Sequence, residues 1–251
     1  MGKSMKLDFE IKDGVLLKYN GKDSYVGVPD DVVEIGRYAF MENKRITEVV
    51  LPNGLKKIGH SAFAYCKKLK KVYIPDSVVE MENGVFSDCE NLESIDLPSR
   101  LEILPENTFN SCKKLRYVKF SQNLLIISAN AFFGCSLLES VVIPTSVETI
   151  GAFAFGYCSK LQQVILSSSL KTIGNSAFAY NTSLTKIDIP KNVDYIGEKA
   201  FFNIGASMLV VPRGVHLIGK DAFDGNAKMQ VVWPDDMPRA QNSGNMCFFD
   251  W

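Results

Sequence analysis

Apolar residues recur along this chain in one fixed phase. A Phe returns every 23 residues seven times and then after 22, at nine positions: Phe40, Phe63, Phe86, Phe109, Phe132, Phe155, Phe178, Phe201 and Phe223. The residue before it is usually Ala, and an aliphatic residue stands four places before that Ala: Ile35, Ile58, Ile127, Ile150, Ile173, Ile196 and Ile218. A period in the twenties over this length predicts a solenoid of about ten stacked repeats.

Within each repeat, a short alternating run predicts a strand. In the run from Leu69 to Pro75, Val72 and Ile74 are two residues apart and point inward, so Tyr73 points to the opposite, solvent face. The spacing of these apolar residues matches an L-x-x-L-x-L strand. Pro75 has no N–H to donate, so the strand ends there. Similar runs end at Pro52, Pro98, Pro144, Pro190, Pro212 and Pro234.

The Ala-Phe pair is predicted to lie in a short helical or 3₁₀ turn. The residue after the preceding aliphatic is often Gly, but it is Pro105 in one repeat. Since Pro fixes φ near −65°, this position requires no left-handed backbone, and the Gly residues are expected to serve close packing between coils. Pro105 suits the first position of a short helix. The predicted fold is an α/β repeat solenoid with a parallel sheet on the concave face and short turns, 3₁₀ or helical segments on the convex face.

The residues from Ile143 to Leu161 read I-P-x-S-V-x-x-I-G-x-x-A-F-x-x-C-x-x-L. This unit resembles the BspA-like leucine-rich repeats of bacterial and protozoan proteins, and the likeness covers residues 26–234. Many members of that family are surface proteins, and some are implicated in adhesion to host matrix proteins such as fibronectin or fibrinogen. The resemblance therefore implies a protein-binding module with an extracellular-matrix partner.

Composition narrows the function further. The chain has 28 basic and 28 acidic residues, so no whole-protein basic field favours nucleic acid as a partner. No run of 18 apolar residues occurs, which predicts no membrane span. The first residues turn acidic at Asp8, where a secretory signal would become apolar. We therefore leave two locations open: the cell surface if a signal was removed, and the cytoplasm otherwise. We expect a monomer.

Five cysteines share the repeat phase: Cys66, Cys89, Cys112, Cys135 and Cys158. Their predicted row has parallel Cβ vectors about 4.8 Å apart, which is too far for disulfides and too linear for a metal site. We expect buried structural thiols; a metal site is the alternative. Cys247 lies off the row and could be reactive. Free thiols weakly favour a reducing setting.

The sequence shows no constellation for catalysis. His60 and His216 are seven coils apart and cannot cooperate. No nucleophile elbow, zinc-protease motif, P-loop or C-x-x-C pair occurs. We therefore expect no enzyme, no catalytic, cofactor or metal site, and no cofactor.

The outward strand positions are the predicted binding face. Val142 and Ile165 are adjacent apolar residues where solvent is expected, and tyrosines add aromatic area. The candidate protein-binding residues are Lys71, Tyr73, Tyr117, Lys119, Val142 and Ile165. The alternative is ordinary β-propensity, because Val, Ile and Tyr favour strands in any case.

A basic cluster accompanies this face in two repeats. Its members are Lys67, Lys68, Lys70, Lys71, Lys113, Lys114, Arg116 and Lys119. Glu90 and Glu93 lie in the repeat between them and interrupt it. The cluster is either a solvated rim or a site for an acidic partner such as a polyanion.

Three regions are predicted. Residues 1–25 form a lead-in capping hairpin, residues 26–235 form the repeat array, and residues 236–251 form a C-terminal cap or tail. The favoured function is adhesin-like ligand binding through the concave sheet. The alternative is an intracellular scaffold or interaction protein.

Overall fold

The computed structural model describes residues 8–235 and 246–248 of the chain. It begins with an antiparallel hairpin of β1 (Phe9–Lys12) and β2 (Val15–Tyr19). The chain then winds as a solenoid in which each turn contributes one strand to each of two parallel ladders. Glu48 pairs with Lys71, and Ile35 pairs with Ile58, so both ladders advance by the repeat length of 23 residues.

We call the first of these the front ladder. Its strands are β3 (Tyr25–Gly27), β5 (Glu48–Val50), β7 (Lys71–Tyr73), β9 (Ser94–Asp96), β11 (Tyr117–Lys119), β13 (Ser140–Val142), β15 (Gln163–Ile165), β17 (Lys186–Ile187), β19 (Met208–Val210) and β21 (Gln230–Val232). The middle residue of most strands is buried and its two neighbours face outward, as period-two alternation requires. Pairing is interrupted between β7 and β9, between β11 and β13, and between β17 and β19.

The second, or back, ladder consists of shorter strands. They are β4 (Glu34–Ile35), β6 (Lys57–Ile58), β8 (Glu80–Met81), β10 (Ile103–Leu104), β12 (Ile126–Ile127), β14 (Thr149–Ile150), β16 (Thr172–Ile173), β18 (Tyr195–Ile196) and β20 (Leu217–Gly219). The sequence predicted one sheet and turns opposite it. It correctly identified the inward aliphatic residues here, but it missed that they belong to a second ladder.

The recurrent Phe residues form the centre of the core. Eight of them, from Phe40 to Phe201, are at most 1% exposed. Successive rings along the row stack with centroids 4.7–5.9 Å apart, from the Phe40–Phe63 pair to the Phe201–Phe223 pair. One coil alone leaves its ring exposed on both faces, so burial is complete only when coils stack.

The helical or 3₁₀ turn predicted for the Ala-Phe pair is wrong. Within residues 8–235 and 246–248 no helix occurs. The N–H of Phe40 donates to the carbonyl of Ala62 in the next coil at 2.8 Å, and the N–H of Phe155 donates to Ala177 at 2.8 Å. Because these donors bond to the neighbouring coil, they are not available for the bonds inside one turn that a helix needs.

The expected role of the repeat glycines is confirmed. A Cβ at Gly174 would lie 2.7 Å from the backbone N of Ala152 in the preceding coil, and one at Gly219 would lie 2.2 Å from that of Glu198. Neither has a positive φ. These glycines therefore permit close approach of adjacent coils.

The interpretation of Pro105 as a helix start is wrong as well. At the equivalent position one coil earlier, the N–H of Glu82 donates to the Ile58 carbonyl at 2.9 Å, and one coil later Ser128 donates to Leu104 at 3.0 Å. Pro105 has no N–H to offer the Met81 carbonyl. The back ladder accordingly divides between β8 and β10.

Strands close each end of the back ladder. β2 pairs in parallel with β4, and β22 (Met246–Phe248) pairs antiparallel with β20. The division into a cap at residues 1–25, an array and a C-terminal cap or tail stays a prediction. The side chain of Cys247 lies outside the described residues.

Candidate binding surface

The six residues that the sequence selected all lie on the outward side of the front ladder. Val142 is 63% exposed, Tyr117 56%, Ile165 50% and Tyr73 44%. Lys71 and Lys119 are exposed too. Because each flanks an inward-facing strand centre, the alternation that buries the core presents these side chains to solvent.

Val142 and Ile165 form the apolar centre of this surface. They are direct register partners in β13 and β15. Side chains one strand apart on the same face of a sheet are in lateral contact range. Two half-exposed branched aliphatic residues therefore form a continuous apolar patch.

A groove adjoins this patch. It has a volume of about 430 Å³ and follows the gap in pairing between β11 and β13. Tyr117, Lys119 and Val142 line it. The structure thus brings these three residues together, and Ile165 joins them through Val142.

Lys71 and Tyr73 lie farther along the ladder. The Lys71 ammonium is 4.9 Å from the centroid of the Tyr73 ring, within the range of a cation–π contact. The strand β9 separates them from Tyr117, and its outward residues are Ser94 and Asp96. They are therefore on the same face but outside the groove.

Three further residues in the same phase were not predicted from the sequence. Tyr25 is 60% exposed, Met208 56% and Val210 51%, and all are outward residues of front-ladder strands. The alternation used for Tyr73 would have identified them had it been extended to both ends of the array.

A second groove, also not predicted from the sequence, lies on the back ladder. Its volume is about 710 Å³, and it lies where Pro105 interrupts pairing. Half-exposed Val79 and Ile103 line it together with Glu80 and Glu102. The signal was Pro105 itself, a residue without an N–H at a position that otherwise donates to the preceding coil.

The cysteine row is structural. All five thiols are buried, and each donates to the carbonyl of a Phe in the preceding coil, as Cys66 does to Phe40 at 3.0 Å. Burial raises the pKa of Cys66 and of Cys158 to about 12. Asn181 occupies the same position in a later coil and donates to Phe155 at 2.8 Å. This row therefore hydrogen-bonds coils together and holds the thiols in their unreactive protonated form.

The two histidines and the other potential metal ligands do not come together in one site. The ring of His60 packs edge-on against Tyr38, and His216 hydrogen-bonds to Asp194. Across the described part of the chain, no three His, Cys, Asp or Glu side chains are grouped as a metal site would need. The same residues include no helix with the length and apolar character to cross a bilayer.

Comparisons with known proteins agree with this architecture. The family model for the BspA type leucine rich repeat region matches residues 33–139 and 102–230, with six copies. A leucine-rich repeat protein of T. pallidum is 24% identical, with a TM-score of 0.55 over 78% of this chain and 85% of that one. The pneumococcal vaccine antigen PcpA is 20% identical, with a TM-score of 0.52 over 90% and 79%. At these identities the two structures show the fold alone. No curated protein matches the chain.

Proposed function

Since the chain belongs to the BspA-type leucine-rich repeat family, we propose that it is a non-catalytic module that binds a protein partner through the outward face of the front ladder. The observation that carries this proposal is the patch of Val142 and Ile165 beside the groove of Tyr117 and Lys119. Apolar anchors next to an aromatic-lined cleft with a charged rim are typical of protein interfaces.

The energetics favour this patch as an interaction centre. Burial of the exposed half of a Val or Ile side chain contributes about 0.8–1.5 kcal/mol to a complex. Tyr117 adds aromatic area with few rotatable bonds, which lowers the entropy cost of ordering it. Together these residues could provide the central anchors that dominate most interfaces.

The double substitution Val142→Asp with Ile165→Asp tests the proposal. Surface plasmon resonance would measure binding to purified fibronectin and fibrinogen, the matrix proteins that the family resemblance suggests. We expect wild-type binding to at least one, and a loss of about 100-fold or more in the variant, as for removal of central anchors. Circular dichroism should show an unchanged fold, because both side chains point to solvent.

The matched control is the double substitution Val33→Asp with Val79→Asp, which places two carboxylates at 45%- and 50%-exposed valines beside the back ladder. It should bind like wild type. Equal loss in the control and in the double variant would contradict the assignment of the front ladder. Binding of neither matrix protein by wild type would contradict an adhesin-like partner.

The free thiols no longer support the alternative of an intracellular scaffold. Free thiols had weakly favoured a reducing compartment, but the five row thiols are buried and protonated. Thiols in this state are inert in either compartment. Protease treatment of intact host cells separates the two readings: loss of the protein indicates the surface, and full protection until lysis indicates a scaffold.

A further inference from the structure

Four successive coils, counted here from the one that begins at Asn43, carry a basic edge beside the front ladder. We define it as residues 43–50, 66–73, 89–96 and 112–119, which run from the cysteine position of each coil through its strand. These segments hold ten basic and four acidic residues, a net charge of +6, in a chain whose net charge is zero. The equivalent segments of the next three coils, 135–142, 158–165 and 181–188, hold two of each sign and are neutral.

Part of this charge is neutralised internally. Glu90 lies between two lysines, 2.9 Å from the ammonium of Lys67 and 3.5 Å from that of Lys113. Arg116 pairs with Glu139 at 3.2 Å. Glu90 therefore links the basic groups of the second and fourth coils across the intervening coil.

Most of the basic side chains have no such partner. Seven form no ion pair with another residue of the described chain, and all seven are exposed: Lys44, Arg45, Lys68, Lys70, Lys71, Lys114 and Lys119. Since like charges this close repel one another, their accumulation raises the electrostatic free energy of the free protein. A bound polyanion would relieve that repulsion.

Exposed tyrosines accompany the charges. Tyr65 is 43% exposed, Tyr73 44% and Tyr117 56%. Tyr65 lines a cavity of about 430 Å³ together with three lysines and one carboxylate: Lys44, Lys67, Lys68 and Glu42. A flat ring beside an ammonium suits a sugar ring that carries an anionic group, because the ring covers the apolar sugar face while the cation pairs with the anion.

The spacing of the edge suits a linear ligand. Adjacent coils are about 4.8 Å apart, so the turns from the first to the fourth coil span about 14 Å along the solenoid axis. Eight of the ten basic residues are Lys. A Lys ammonium is a point charge without the fixed fork with which Arg recognises planar carboxylates and nucleic acids.

From this charge, exposure and spacing, we propose that the basic edge binds a sulfated polysaccharide, with sulfates on the lysines and sugar faces on the tyrosines. The edge shares Tyr117 and Lys119 with the groove beside Val142, whereas Val142 and Ile165 themselves lie outside the edge. A heparin oligosaccharide is the probe.

The test replaces Lys44, Lys68, Lys70 and Lys114 with Gln in the full chain. Isothermal titration with the heparin oligosaccharide should show a loss of affinity of about tenfold or more and a weaker dependence on salt, because fewer counter-ions are displaced. The control replaces Lys160, Lys191, Lys220 and Lys228, four exposed lysines outside the edge, and has the same net charge. It should bind heparin like wild type; equal loss in both would overturn the proposal.

A second variant is expected to raise heparin affinity, which misfolding could not do. Glu90→Gln removes the carboxylate that holds Lys67 and Lys113. Heparin affinity should rise about two- to fivefold, the equivalent of one exposed ion pair. Unchanged or weaker binding would count against the edge.

Competition distinguishes the classes of polyanion. Desulfated heparin should fail to compete, and poly-glutamate and single-stranded DNA should compete poorly. Displacement by either of these as effective as by heparin would overturn the assignment to sulfated sugars. The uncharged variant Val142→Ser with Ile165→Ser should keep its heparin affinity, because it adds no carboxylate beside Lys119, so failure here and failure of the protein site are separable.

Discussion

At the scale of single residues, the turns impose an unusual backbone requirement. Two positions in each repeat, two residues before and two residues after the recurrent Phe, have positive φ. The second of these is held by Glu42 (φ 59°), Tyr65 (61°) and Tyr157 (59°), and by Gly134 (71°) in one coil. A left-handed backbone costs a residue with a Cβ about 1–2 kcal/mol.

The substitution Glu42→Gly should therefore stabilise the protein. Glycine adopts φ near 59° without the Cβ penalty, although it gains entropy in the unfolded chain. We expect a net gain of about 0.5–1 kcal/mol, seen as a rise in the thermal midpoint of about 1–3 °C.

The control for this substitution is Glu102→Gly, which also removes one exposed carboxylate. The φ of Glu102 is not positive, so glycine relieves no strain there. Only the greater entropy of glycine in the unfolded chain remains, and the stability of the protein should fall. A fall for both variants would refute the strain argument.

The buried thiols make stability depend on pH. Burial raises the pKa of Cys66 from an ordinary value of 9.0 to about 12. The folded chain then holds this proton more tightly than the unfolded chain, so the contribution is full below pH 9 and is lost as pH rises toward 12. At most it changes by about 1.4 kcal/mol per pH unit.

Comparison of wild type with Cys66→Ala separates the contribution of this thiol to the pH dependence of stability from the contributions of lysines and tyrosines that titrate in the same range. The variant should be less stable at pH 8, since it loses a buried side chain and its hydrogen bond to Phe40. Urea unfolding at pH 8 and pH 10.5 should show a smaller loss of stability with pH in the variant. Equal losses would mean that this thiol does not titrate with a raised pKa.

At the scale of elements, short strands depend on single hydrogen bonds. A back-ladder strand such as β8 or β10 has two residues, and we attribute the interruption of pairing between them to the missing donor at Pro105. The same interruption creates the larger of the two grooves described above. A local change of sequence thus produces a feature of the surface.

The substitution Pro105→Ser should restore pairing, because Ser128 holds the equivalent position one coil later and donates to Leu104. The new bond adds about 0.5–1.5 kcal/mol, while the loss of Pro costs about 0.4–1 kcal/mol through the unfolded chain. We expect little change in melting temperature and slow hydrogen exchange at the amide of residue 105. Rapid exchange there would show that the gap has another cause.

At the scale of the whole molecule, much of the architecture follows from the sequence. The 23-residue recurrence of Phe predicted the stacking of coils, and the alternation around Val72 correctly identified inward and outward positions of the front ladder. Both patterns arise because the same positions are buried in every coil and therefore carry apolar residues. The outward exposure of Val142 and Ile165 followed from the same pattern.

Other features could not be predicted because they do not arise from apolar periodicity. Two-residue strands such as Thr149–Ile150 are too short to show alternation. Left-handed turns at Tyr65 and Phe153 contradict the preferences of those residues, since bonds between coils outweigh local propensity. The gap between β11 and β13 has no mark in the sequence that we can identify.

The most direct measurement is hydrogen–deuterium exchange of the full chain, with and without saturating fibronectin or fibrinogen. We predict slower exchange on binding at β11, β13 and β15 and in the groove beside Val142, with the back ladder unchanged. Slower exchange centred on the groove at Pro105, or no change with either protein, would contradict the assignment of the front ladder as the surface for this kind of partner.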